Sequence, residues 1–254
     1  MAKPILVANW KNYPKSLDEA EDLLKQLSRN SQLYKKVSLF IAPPLPYFES
    51  VSNRSKNFAR LASQDIPDIF QGTHTGLTTP DILKSFGVRL AIIGHSERRA
   101  LGETNEIISK KVKVALRSGI APLVCIGESV RDADGEHFEF LRDELKSSLS
   151  GLRRKADILK LAVAYEPVWA VGKQAKSAIE LADLSESVIF IRKVLTDMFG
   201  RSVAERIPIL YGGSVEPGNA GVLARGAGIR GLLVGRASLS AKTFKAVAES
   251  LIKR

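Results

Sequence analysis

The chain has 254 residues, and 38 Lys and Arg against 27 Asp and Glu leave a net charge of +11. A composition of 44% hydrophobic and 26% charged residues excludes a disordered or collagen-like chain, and the longest uncharged stretches, twelve residues each at 37–48 and 69–80, fall short of the ~18 to 20 apolar residues of a membrane helix. A single cysteine, Cys125, excludes a disulfide scaffold, and the apolar run at residues 5–8 is too brief for a signal peptide, so a cytoplasmic location is expected.

The run at residues 5–8 is the first predicted strand. A helix follows, with Ala20, Leu23, Leu24 and Leu27 on one stripe. Further strands are predicted at 37–42, 60–63, 89–93 and 121–125. A second stripe, Phe138, Leu141, Leu145, Leu149 and Leu152, then leads to a strand at 161–165. Leu184, Val188, Ile191 and Leu195 mark the next helix, ahead of strands at 209–211 and 231–234. Phe244, Val247, Ala248, Leu251 and Ile252 close the chain with a last stripe.

Near-continuous apolar strands are those buried on both faces, as in a parallel sheet. Eight of them alternating with helices, without a composition break or a Gly/Pro/Ser linker, predict an α/β chain forming a single-domain (β/α)8 barrel over residues 1–254. An open doubly wound sheet is the alternative, because periodicity does not reveal closure. The basic charges are dispersed. The clusters Arg98 and Arg99, Lys110, Lys111 and Lys113, and 153–155 lack aromatic interleaving and predict a solvated surface that attracts small anions rather than a nucleic-acid face.

In such a barrel the site forms where strands end, so polar residues just after apolar runs are the candidates. Asn9, Trp10 and Lys11 follow the first strand; Gly94, His95, Ser96 and Glu97 the fourth; Glu166 and Pro167 the sixth; Gly235 and Arg236 the eighth. Glu166 leaves an apolar run, where desolvation disfavours a carboxylate and strengthens it as a base. The alternative is a structural partner for Arg or Lys. His95 sits in a turn entering a helix, where exposed amides favour a neutral imidazole. The three histidines, His74, His95 and His137, have no local metal-ligand spacing, and no metal is expected.

Glycines let backbone N–H groups approach a phosphate, and Gly172, Gly212 with Gly213 and Ser214, and Gly235 each follow a late strand. The alternative for each is turn chemistry without a ligand. Gly226, Gly228 and Gly231 spell a dinucleotide fingerprint, but they precede the last strand instead of linking a strand to a helix, and the motif is rejected. The glycosylation sequon at Asn53 has no meaning in a cytoplasmic chain.

Six segments in order, Asn9-Trp10-Lys11, Gly94-His95-Ser96-Glu97-Arg98-Arg99, Cys125-Ile126-Gly127-Glu128, Ala164-Tyr165-Glu166-Pro167-Val168-Trp169-Ala170, Tyr211-Gly212-Gly213-Ser214-Val215 and Leu233-Val234-Gly235, resemble the triosephosphate isomerase family over the whole chain. The resemblance implies interconversion of dihydroxyacetone phosphate and D-glyceraldehyde 3-phosphate through an enediolate, in glycolysis and gluconeogenesis, without a cofactor. It implies Glu166 as the base, His95 as the neutral electrophile, Lys11 with Asn9 at the developing oxyanion, and Glu97 beside the lysine. It places Gly172, Ser214 and Gly235, with Arg236 adjoining, at the substrate phosphate. Residues 72–76 resemble a dimer loop whose Thr75 enters a partner's site, which implies a homodimer.

Three positions depart from the family pattern. Leu77 replaces a glutamate, which leaves Arg98 without its expected carboxylate partner. Gln174 replaces a glycine in the lid. Arg236 replaces a second glycine, and its side chain is expected to point outward. Other readings are a phosphate-binding barrel of different specificity and a dimeric binding paralogue; the set Asn9, Lys11, His95 and Glu166 argues against both.

Overall fold

The computed structural model describes residues 3–132, 134–170 and 179–252. Eight strands lie among them: β1 (Ile5–Asn9), β2 (Ser38–Ala42), β3 (Arg60–Ser63), β4 (Leu90–Ile93), β5 (Ala121–Ile126), β6 (Ala162–Tyr165), β7 (Ile209–Tyr211) and β8 (Gly231–Val234). Each pairs in parallel with the next, and β8 returns to β1 in the register Ile5↔Gly231 to Ala8↔Val234, so the sheet is a closed barrel. Closure removes the open-sheet alternative. It also explains a glycine at the seam, because a Cβ on Gly231 would lie 2.0 Å from the Ile5 carbonyl oxygen.

Strand side chains alternate between two cores. Twelve point together inside the barrel, among them Val7, Phe40, Ala62, Ile92, Leu123, Ala164, Leu210 and Leu233, which is the filling that a closed eight-stranded barrel accommodates. Their sequence neighbours Leu6, Ile41, Leu61, Ile93, Val124, Val163, Ile209 and Leu232 face outward onto the helices. Both faces are therefore dry, which is why the strands read as continuous apolar runs.

The helices bury the stripes that their periodicity predicts. Ala20, Leu23, Leu24 and Leu27 are buried on the helix Leu17–Ser28, which starts where Ser16 accepts the Glu19 N–H. Leu184, Val188, Ile191 and Leu195 are buried on Leu181–Phe199, and Phe244, Val247 and Ala248 on Ala241–Ile252. The stripe from Phe138 outruns its helix, which is Glu136–Ser148. Leu149 caps it and Leu152 lies beyond the turn made by Gly151 at φ +76°.

One surface expectation is corrected. Lys111 is buried, because it lies on the barrel-facing side of the helix Asn105–Ser118 beside Ile108 and Val112. Its ammonium is 2.6 Å from both Asp65 and Glu103, so the burial is matched by charge. Lys110 and Lys113 on the same helix are exposed. No helix among the described residues is long and apolar enough to cross a membrane.

Candidate active site

The carboxyl ends of the strands converge on a cavity of about 480 Å³. It is lined by Asn9 and Lys11 from the end of β1, His95 and Glu97 beyond β4, Glu166 beyond β6, Ser214 beyond β7, and Gly235 and Arg236 beyond β8. Apart from Gly172 and Thr75, every residue to which the family resemblance gives a role therefore borders one space, of the size that holds a small phosphorylated molecule, while the candidates Gly94, Ser96, Pro167 and Gly213 do not line it. Gly172, like Gln174, lies outside the described residues. Thr75 lies on a different part of the surface, in an exposed loop.

Glu166 is 2% exposed and His95 5%. Glu166 Oε1 is 3.5 Å from His95 Nε2, and Glu166 Oε2 is buried without a hydrogen-bond partner among the described residues. Two glycines allow this placement. A Cβ on Gly127 would lie 2.0 Å from the Glu166 carbonyl oxygen, and one on Gly212 would lie 2.7 Å from Glu166 Cγ. Behind it, burial and the neighbouring Glu166 charge push the Cys125 thiol well up, so the cysteine stays protonated.

His95 is the N-cap of the helix Ser96–Ala100, and its Nδ1 accepts the Glu97 N–H at 3.2 Å. An acceptor at Nδ1 requires an unprotonated nitrogen there, which leaves the Nε2 proton directed at the cavity. Lys11 reaches the same mouth through a 2.6 Å ion pair with Glu97 Oε1. Its backbone has φ +51°, unusual for a residue with a side chain and worth about 1 to 2 kcal/mol of strain. The strain is held from both sides. Asn9 Oδ1 accepts the Lys11 N–H at 3.1 Å, and Gln64 Nε2 donates to the Lys11 carbonyl at 2.7 Å and to Ala42 at 3.0 Å.

Gln64 is a site residue that the sequence reading passed over, although it directly follows β3 and meets the same strand-end criterion. Glu128, just beyond β5 and part of the motif Cys125-Ile126-Gly127-Glu128, had no role assigned from the sequence. It is 1% exposed and its Oε1 accepts from Tyr165 Oη at 2.9 Å and Trp169 Nε1 at 2.8 Å, fixing the segment after Glu166. At the opposite side, Ser214 donates to the Ala170 carbonyl through both its N–H (3.0 Å) and its hydroxyl (2.8 Å). Arg236 opens the short helix Arg236–Leu239 and is exposed at the cavity rim.

The departure at Leu77 is resolved differently from expectation. Arg98 does have carboxylate partners, because Asp65 (3.0 Å) and Glu103 (2.6 Å) of the same chain supply them. The rejected glycine motif behaves as its context implies: Gly226 ends a helix and Gly231 opens β8.

Fold and site together define a barrel enzyme with a buried carboxylate, an imidazole and an ammonium around one small cavity. The family model described as triosephosphate isomerase matches residues 4–251. Proteins named triosephosphate isomerase are similar to the chain nearly end to end. That of Geobacter metallireducens is 39% identical over 250 residues, covering 97% of this chain and 98% of the relative. That of Fusobacterium nucleatum is 38% identical over 247 residues (96% and 97%), and that of Dictyoglomus thermophilum 36% over 253 (98% and 100%). The chain belongs to the triosephosphate isomerase family.

Proposed function

We propose that this chain, as one domain over residues 1–254, interconverts dihydroxyacetone phosphate and D-glyceraldehyde 3-phosphate, with Glu166 as the base and His95 and Lys11 as stabilisers of an enediolate. Glu166 takes a proton from the carbon beside the carbonyl, and the C–H electron pair becomes the carbon–carbon double bond. The negative charge moves onto oxygen, where the His95 Nε2–H and the Lys11 ammonium oppose it. Glu166 then returns its proton to the neighbouring carbon, while the hydroxyl proton changes oxygen. No other group is oxidised or reduced.

The observation that carries this reading is the 3.5 Å approach of a buried carboxylate to an imidazole whose other nitrogen is occupied as an acceptor. A carboxylate stripped of water, beside preorganised donors, is what abstraction of a weakly acidic C–H requires. Asn9 and Glu97 orient Lys11. An assay coupling D-glyceraldehyde 3-phosphate to ketone reduction tests the reaction. Steady conversion at enzymatic rates is expected, and no conversion contradicts the reading.

Gly172, Ser214, Gly235 and Arg236 make up the proposed phosphate end. The backbone amides are assigned the binding and the Arg236 side chain is assigned to solvent, consistent with its exposure. Arg236→Gly is then expected to change KM by less than tenfold. A tenfold or larger rise, about 1.4 kcal/mol, would establish a direct charge contact.

The same reading makes the enzyme a cytoplasmic homodimer in which Thr75 enters the partner's site. Residues 71–77 are exposed, and a second cavity, about 520 Å³, lies beside them with Leu45, Leu77 and Leu101 on its rim. A groove with exposed leucines on its rim and charged residues such as Asp65, Arg98 and Glu103 in its lining, next to an exposed loop, suits exchange of loops between two copies. Because Arg98 is already matched within its own chain and Leu77 is uncharged, the dimer should resist salt. Sedimentation at micromolar concentration should give a dimer at both 0.05 M and 1 M salt, whereas a fully active monomer contradicts it.

A further inference from the structure

Glu144 lies on the helix Glu136–Ser148 and is 4% exposed, yet the reaction as described gives it no part. Its Oε1 is 3.1 Å from Arg99 Nη1, and its Oε2 accepts the Gly127 N–H at 2.8 Å. Both partners form the wall behind the base. Arg99 also donates to the carbonyls of Gly94 (2.9 Å) and Cys125 (3.1 Å) and to Asn105 Oδ1 (2.7 Å), tying together the ends of β4 and β5. Gly127 packs directly on the Glu166 peptide, whose N–H donates to Ile126 at 2.8 Å. Glu144 and Glu166 border the same cavity of about 290 Å³, together with Ser96 and Arg99.

We propose that Glu144 is a positioning residue for the isomerisation, whose ionised carboxylate acts through Arg99 and Gly127, and by its own charge, to make Glu166 the stronger base. The proposal rests on Glu166 being that base. The charged groups that act on Glu144 are Arg99 from the helix Ser96–Ala100, Glu128 beyond β5 and Glu166 beyond β6, with the protonated Cys125 thiol on β5.

Burial pushes Glu144 up to about 7; Glu128 and Glu166 repel its charged form, while Arg99 and the Gly127 amide oppose the rise. Glu144 is therefore ionised above neutrality and protonated below it. Once it is protonated, the Arg99 charge is uncompensated near Glu166, which favours the Glu166 carboxylate and weakens its hold on a proton. Activity should then fall to a lower plateau, not to zero, as pH drops through about 7.

The test compares kcat/KM of the wild type and Glu144→Gln between pH 5.5 and 9. Glutamine keeps an acceptor for Gly127 and fixes the neutral state. The substrate phosphate titrates identically for both proteins, so the ratio of wild type to variant is the readout. That ratio should rise about threefold with a midpoint near pH 7, where Glu144 ionises in the wild type alone. A ratio independent of pH overturns the proposal. Glu166→Gln assayed alongside separates the two readings, because near-normal turnover there removes the base itself, whatever Glu144 does.

If Glu144→Gln does not fold, carbon-13 NMR of the Glu144 carboxyl decides. It should titrate near pH 7 in the wild type and at lower pH in Glu166→Gln, where a repelling charge is gone. No titration between pH 5.5 and 8.5, or an unmoved midpoint, overturns the proposal.

Discussion

Glu166→Gln is expected to lower kcat by ~10² to 10⁴ while leaving the affinity for a phosphate-bearing ligand nearly unchanged. The substitution is nearly isosteric, and the fit at this position is tight, with Gly212 and Gly127 each leaving no room for a Cβ against Glu166. Packing is therefore retained. What is lost is proton affinity, because an amide cannot hold the proton taken from carbon near neutral pH. Ligand binding draws on the other side of the cavity, at Ser214, Gly235 and Arg236, and should be spared. Near-normal turnover in the variant would remove the assignment of Glu166 as base.

His95→Ala is expected to lower kcat by ~10² to 10³, the range found when a preorganised donor to a developing oxyanion is deleted. The same change also removes the N-cap acceptor for the Glu97 N–H, worth about 1 kcal/mol of stability. His95→Asn separates the two effects. Asparagine can cap the short helix but lacks the reach of imidazole toward the cavity, so its stability should recover while its kcat stays low. Recovery of kcat along with stability would assign His95 a structural role only. Replacing His74, in the exposed loop, or His137, buried on the helix Glu136–Ser148, should leave kcat within a few-fold of the wild type.

Eight strands were legible because each is largely buried on two faces and so carries a near-continuous apolar run. Their boundaries shift by one residue, as at Asn9, where backbone pairing continues past the apolar side chains, and at Ile126, where the apolar run itself is one residue longer than predicted. Closure was not legible, since it depends on the contact of β1 with β8 across the length of the chain. Asn9, Lys11, His95, Glu97 and Glu166 could be found because a polar residue after an apolar strand is a local signal. Gln64 has the same signal but follows β3, a short run flanked by Arg60 and Ser63 that hides the transition from apolar to polar.

Other features leave no local trace at all. The positive φ of Lys11 looks like any lysine in a sequence, and only the bonds from Asn9 and Gln64 account for it. Arg99 and Glu144 are 45 positions apart and Asp65 and Lys111 are 46, and neither pair follows from helical or strand spacing. These contacts belong to packing between elements, which is why the Lys111 cluster read as surface charge and Arg98 read as unpartnered.

The most direct test is to incubate the chain with dihydroxyacetone phosphate in D2O and follow products by NMR. An enediolate formed by a base that exchanges with solvent predicts D-glyceraldehyde 3-phosphate carrying deuterium at its second carbon, and deuterium appearing at the first carbon of recovered dihydroxyacetone phosphate. Both should disappear in Glu166→Gln at equal enzyme concentration. Deuterium incorporation or conversion that survives the loss of Glu166 at the wild-type rate contradicts proton transfer through this carboxylate.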